Sequence, residues 1–152
     1  MTHQSRERLV YQGQTYSTRT QALEVYFRMG GKRPPIIVNT TMCWRGYAGT
    51  WSLDDGRLRL MNIHGFLAQG KLVEIAGQVF KHQIEYRDDT GLCRELVLED
   101  IFPGFPDQVF AHWYSGEIQG APAEDNSAGV IAIIDRGRVK SIRHEIIEGT
   151  RK

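Results

Sequence analysis

Residues 51–60 read Trp-Ser-Leu-Asp-Asp-Gly-Arg-Leu-Arg-Leu. Apolar and polar positions alternate on both sides of Asp55-Gly56. A tight two-residue loop needs positive φ at both central residues, and Asp-Gly supplies them, so the stretch reads as an antiparallel hairpin. With Asp55-Gly56 as the loop, Leu53 faces Leu58 and Trp51 faces Leu60. On the other side Asp54 meets Arg57 and Ser52 meets Arg59. One face is then apolar and the other carries an opposite-charge pair. A slip of one residue destroys both matches.

The flanking sequence extends the same theme. Leu9-Val10-Tyr11, Gln12-Gly13-Gln14 and Thr15-Tyr16 read as strand, turn and strand. One helix follows. Thr18 and Gln21 have the spacing of a capping box, and Ala22, Val25, Tyr26 and Met29 recur at helical spacing, with Leu23 and Phe27 widening the stripe. Gly30-Gly31 ends it, and Lys32-Arg33-Pro34-Pro35 prevents resumption. The pattern predicts about three turns packed on a sheet.

After Pro35 the chain reads as strands and turns. Leu72 to Ile75, Val79 to Tyr86 and Arg94 to Leu98 are candidate strands, with a turn at Asp88-Asp89-Thr90-Gly91. Phe102-Pro103-Gly104-Phe105-Pro106 is a fixed turn. Val109 to Ile118 is apolar on both faces over its first half, which predicts a central strand. Gly120 to Gly129 is a polar loop. The last hairpin runs Val130 to Ile134, turns at Asp135-Arg136-Gly137 and returns through Arg138 to Ile147. Val139 and Ile142 have opposite parity, which predicts a bulge.

The fold class is therefore α+β and mainly β: an antiparallel sheet or partly closed barrel of about six to nine strands with one N-terminal helix. The 152 residues fit one domain, 1–152, with 1–7 and 148–152 frayed.

Charge narrows the partners. Nineteen Lys and Arg face eighteen Asp and Glu, for a net charge of +1. A nucleic-acid binder concentrates base on one face. Here the nearest cluster is Arg136, Arg138, Lys140 and Arg143, on the outer face of a strand pair, and no nucleic-acid partner is expected. The first eight residues hold no apolar stretch of the kind a secretion signal carries. The longest apolar run, Gly129 to Ile134, is far short of the roughly 20 residues a spanning helix needs. The expectation is a cytoplasmic chain with no membrane partner. Cys43 and Cys93 lie in no metal spacing and read as free thiols.

Candidate chemistry is sparse. His3, His64, His82, His112 and His144 form no local pair of metal-ligand spacing, and the expectation is no metal and no cofactor. There is no nucleophile elbow, phosphate loop or dinucleotide fingerprint. No catalytic residue stands out. His112 comes closest, sharing a face with Tyr114 at period two, and Cys93 near a turn is weaker still. Gly49-Thr50-Trp51 before a hairpin matches the start of lipocalin-like ligand barrels. Two segments are dense in the side chains that dominate protein interfaces: Cys43 to Trp51, and His112 to Glu117. In the plain reading Trp44, Trp51 and Trp113 are core aromatics. In the sharper one Trp44, Arg45, Tyr47, His112, Trp113 and Tyr114 form a partner- or ligand-binding patch.

The strings Trp44-Arg45-Gly46-Tyr47-x-x-Thr50-Trp51, Asp55-Gly56-x-Leu58-x-Leu60, Phe102-Pro103-Gly104 and Ala111-x-Trp113-Tyr114-Ser115-Gly116-Glu117 resemble a family of small bacterial hypothetical proteins. The resemblance spans Tyr11 to the last hairpin. It departs at Gly120 to Gly129, a short loop where the family has a tyrosine-rich stretch. It implies a bacterial cytosolic protein and a shared fold, and no activity.

Taken together these features describe a non-enzymatic interaction protein, such as an immunity or antitoxin-like partner or an accessory subunit, that binds another protein. A calycin-like small-molecule barrel and an enzyme with a His112-centred cleft are the alternatives. The edge of the last hairpin would also allow a homodimer.

Overall fold

The computed structural model describes residues 6–38, 45–68, 78–80, 93–123 and 128–145. Three hairpins with positive-φ turns organise it. β1 (Glu7–Tyr11) and β2 (Gln14–Thr18) join through Gln12 and Gly13 at φ 49 and 79. β4 (Tyr47–Ser52) and β5 (Arg59–Ala68) join through Asp55 and Gly56 at φ 61 and 70. β10 (Gly129–Asp135) and β11 (Arg138–Glu145) join through Arg136 and Gly137 at φ 50 and 82.

The central hairpin holds its expected register: Trp51 pairs with Leu60 and Ser52 with Arg59, and Leu53 and Leu58 close the buried face. Burying each of these four side chains contributes at most about 1.5–3 kcal/mol. The charges rearrange at the tip. Asp54 accepts the Gln12 backbone N–H at 3.0 Å, tying this turn to the first hairpin, and Arg59 reaches Asp55 at 3.4 Å. The last hairpin carries the expected bulge. Ile133 pairs with Ser141 but Ile134 with Val139, so Lys140 is the extra residue and Val139 and Ile142 both lie half-buried against the core.

α1 (Ala22–Arg28) is shorter than expected, at seven residues. Thr18 does not cap it, because Thr18 still belongs to β2 and its hydroxyl accepts from Thr20 N–H at 3.2 Å. The helix closes with Gly31 N–H on Tyr26 O and Gly30 at φ 105. Met29 lies past the last turn and is 65% exposed, off the expected stripe. The expected central strand at Val109 to Ile118 is two short strands, β8 (Val109–Phe110) and β9 (Gly116–Gly120), with a turn at His112 and Trp113. Its first half is apolar on both faces because the chain turns a corner there. Val109 packs in one sheet, Trp113 under the helix and Ile118 in the other sheet.

With β3 (Ile36–Val38), β6 (Gln78–Phe80) and β7 (Cys93–Glu95), the larger sheet runs β2-β1-β4-β5-β3-β6, and β7 and β8 also pair with β5. Pairing is mostly antiparallel, with two parallel pairs, β1 with β4 and β3 with β6. The second sheet is β11-β10-β9. The described residues form eleven strands, more than expected, since several are pieces of two or three residues. The two sheets touch at isolated bridges, Ser17 with Ala121 and Arg57 with Arg138. No barrel closes. Leu9, Leu23, Ile36, Leu60, Ala132 and Ile134 belong to one core shared by both sheets and the helix. No helix among the described residues is long and apolar enough to cross a membrane.

Glu7 corrects the frayed N-terminus: it starts β1 and is 1% exposed. The turn at Asp88 to Gly91, the strand at Leu72 to Ile75, most of the strand at Val79 to Tyr86, and residues 148–152 lie outside the described residues.

Candidate functional site

Trp44 and Cys43 lie outside the described residues. Arg45, Tyr47, Trp113 and Tyr114 are buried, Arg45 at 4% and Trp113 at 9% exposure, so these four do not form an exposed patch. Each is held by the interior instead.

Arg45 is held by Glu7. β1 lies parallel to β4 with Leu9 beside Trp51, and Glu7, two residues before Leu9, shares its inner face. Its carboxylate accepts from Arg45 Nε at 3.0 Å, Gly49 N at 3.0 Å and Trp51 Nε1 at 2.6 Å. Burial pushes the Glu7 carboxyl above its ordinary value, opposed by the Arg45 charge and the Trp51, Gly49 and Arg45 donors. These donors satisfy a carboxylate that would otherwise be an isolated buried charge. Sequence reasoning missed Glu7; its in-phase position with Leu9 was the available signal.

Tyr47 belongs to a second group. Its hydroxyl donates to Glu24 at 2.5 Å, and Glu24 also pairs with Arg33 at 2.9 Å. Burial, then Glu24, raise the Tyr47 phenol far above its ordinary range. The Arg33 guanidinium lies 5.0 Å from the Phe27 ring centre and donates to the Arg45 carbonyl at 2.7 Å. The group thereby ties α1 to the segment entering β4.

Trp113 stacks on Phe102 at 5.4 Å, meets Trp51 edge-on at 6.5 Å and donates Nε1–H to the Ala22 carbonyl at 2.8 Å, docking the start of the helix. Tyr114 donates to the Glu117 carbonyl at 3.0 Å. His112 is exposed in the turn. Its ring meets Phe110 and Trp113, and no carboxylate among the described residues bonds it. Its neighbour in the pattern, Tyr114, points into the core rather than beside it.

The Gly49-x-Trp51 pair also has a local explanation. A Cβ on Gly49 would lie 2.9 Å from Trp51 Nε1 and 3.1 Å from Glu7 Oε1, so glycine makes room for the carboxylate and the indole. Trp51 is buried in the core at 2% exposure. Among the described residues no three His, Cys, Asp or Glu side chains gather closely enough to hold a metal ion.

Among the described residues an edge stays open. β11 pairs with β10 along its length, and on its other side the described residues contribute only the Arg57 bridge at Arg138. His144 near its far end meets the Tyr11 ring at 6.0 Å. Arg138, Lys140, Ser141, Arg143, His144 and Glu145 are exposed along it. An edge strand of this length presents a row of backbone donors and acceptors to a further strand.

No protein-family model matches the chain, and neither a curated protein nor a solved structure matches it.

Proposed function

We propose that the chain is a non-enzymatic, cytosolic protein-interaction module that takes its partner on the open edge of β11. The observation that supports this is the edge itself: Arg138–Glu145, eight residues, paired on one side beyond Arg138 among the described residues. An extended partner segment adds to such an edge as another strand. Its main chain supplies affinity, and alternate side chains supply selectivity. The burial of Arg45, Tyr47, Trp113 and Tyr114 favours the same class, because those side chains brace the fold and are not free for substrate. An immunity-like, antitoxin-like or accessory-subunit role suits such a module.

Photo-crosslinking in the cells that make the protein tests this. A photoreactive phenylalanine analogue replaces Ser141 or Arg143 on β11, or Thr15 on β2 as a control. The expected result is one protein adduct, shared by the two β11 positions and absent at Thr15, with β11 amides slowed in hydrogen exchange in the purified complex. No adduct from β11, or the same adducts from all three positions, overturns the proposal.

A further inference from the structure

Resting on the β11 reading, we infer that the segment pairing with β11 is acidic on one face, apolar on the other, and comes from a different protein rather than a second copy of this chain. Charge and burial along the strand carry this. Val139 and Ile142 lie half-buried against the core, so an added strand needs apolar residues on that face. Arg138, Lys140 and Arg143 are exposed, with Lys140 and Arg143 side chains at 58% and 55%. Between Asp135 and Glu145 four cations stand against two anions. Lys140 is only loosely engaged, 3.9 Å from Asp135, whereas Arg143 holds Glu145 at 2.8 Å.

A second copy gains little from these charges. Its own β11 brings the same excess of positive charge, four cations against two anions between Asp135 and Glu145, and so does not complement the edge it would pair with. An acidic strand meets attraction at Arg138 and Lys140, and at Arg143 in competition with Glu145. The same cations keep basic and unselected apolar strands off the edge, a guard that doubles as a filter.

The test uses two labelled synthetic peptides of eight residues, one alternating glutamate and valine and one alternating lysine and valine, with sedimentation of the protein alone. The inference expects the glutamate peptide to bind, to weaken as salt rises, and to slow exchange of the β11 amides. Replacing Arg138, Lys140 and Arg143 together by glutamate should weaken it about tenfold or more, since exposed pairs contribute up to about 1 kcal/mol each. The triple variant should in turn accept the lysine peptide. Equal binding of both peptides, or binding unchanged in the triple variant, overturns the acidic partner. A dimer in sedimentation with β11 amides protected makes the second copy the occupant: the acidic inference fails while the open-edge reading stands. If neither peptide nor a second copy protects β11, both fail.

Discussion

Replacing Arg45 by Met separates a structural brace from a binding residue. The methionine occupies similar length but leaves Glu7 buried without its cation. Glu7 can then remain charged in the interior or take a proton. For a carboxyl of ordinary value 4.5, protonation at pH 7 costs about 3.4 kcal/mol, at about 1.4 kcal/mol per unit. This bounds the charge part of the penalty. Lost packing and the lost Nε bond bring the expected destabilisation at pH 7 to about 3–5 kcal/mol, the range for breaking a buried pair from one side. The pH dependence has a definite sign. A folded-state value raised further above 4.5 means that the native state holds more protons than the unfolded one, so the variant loses stability as pH rises. Between pH 7 and pH 5 its deficit against wild type should therefore shrink, by up to about 2.7 kcal/mol. Wild-type Glu7 is itself raised, which takes back part of that difference. In the double variant Glu7→Gln with Arg45→Met, the glutamine oxygen still accepts from Trp51 Nε1 and no charge is buried. Most of the loss should return, leaving about 1–3 kcal/mol for the Gly49 N–H left without an acceptor. Urea unfolding followed by tryptophan fluorescence at pH 5 and pH 7 measures all of this, with m-values checked for constancy. A single-variant loss below about 1 kcal/mol at pH 7, a pH-independent loss, or strict additivity in the double variant refutes the brace.

Other expectations follow from packing, turns and acid titration. Trp113→Ala should cost about 3–5 kcal/mol, because the indole is stacked on Phe102 and carries the Ala22 carbonyl; a stable, folded variant in thermal melts would restore Trp113 as a surface residue. Gly56→Ala should cost about 1–2 kcal/mol from its φ of 70 alone, since nothing lies within 4 Å of the added Cβ. Gly137→Ala should cost clearly more, because at φ 82 its Cβ would also stand 2.6 Å from the Ala111 carbonyl oxygen; equal denaturation midpoints for the two would contradict this. Burial raises the Asp100 carboxyl, but Arg94 and the Val97 N–H outweigh it and hold the group below 3.8. Its contribution is therefore present above that pH and lost on further acidification. The gap in unfolding midpoint between wild type and Asp100→Asn should accordingly be wider at pH 6 than at pH 3.

The candidate edge was partly legible. The parity break between Val139 and Ile142 announced the bulge at Lys140, and the basic run announced an outer strand face. The exposed aromatic patch was not. Arg45 and Tyr47 sit in a segment of interface-like composition, and composition alone does not distinguish a side chain that meets a partner from one that meets Glu7 or Glu24 inside the same chain. His112 and Tyr114 illustrate the same limit. Period two placed them on one strand face, but the chain turns at His112, so one ring points to solvent and the other inward.

Local chemistry sufficed where the deciding interactions lie within a few residues. Asp55-Gly56, Gln12-Gly13 and Arg136-Gly137 adopt positive φ in tight turns, and alternation around Asp55-Gly56 sets which side of that hairpin is apolar, so three hairpins and one register could be read from the chain alone. Only the tertiary structure decided the parallel pairing of β1 with β4, forty residues apart in sequence. That pairing brings Arg45, Gly49 and Trp51 around Glu7. A glutamate beside a frayed-looking terminus became a buried ion-pair partner because donors from a distant strand replaced the water it lost, and no pattern within β1 contains those donors.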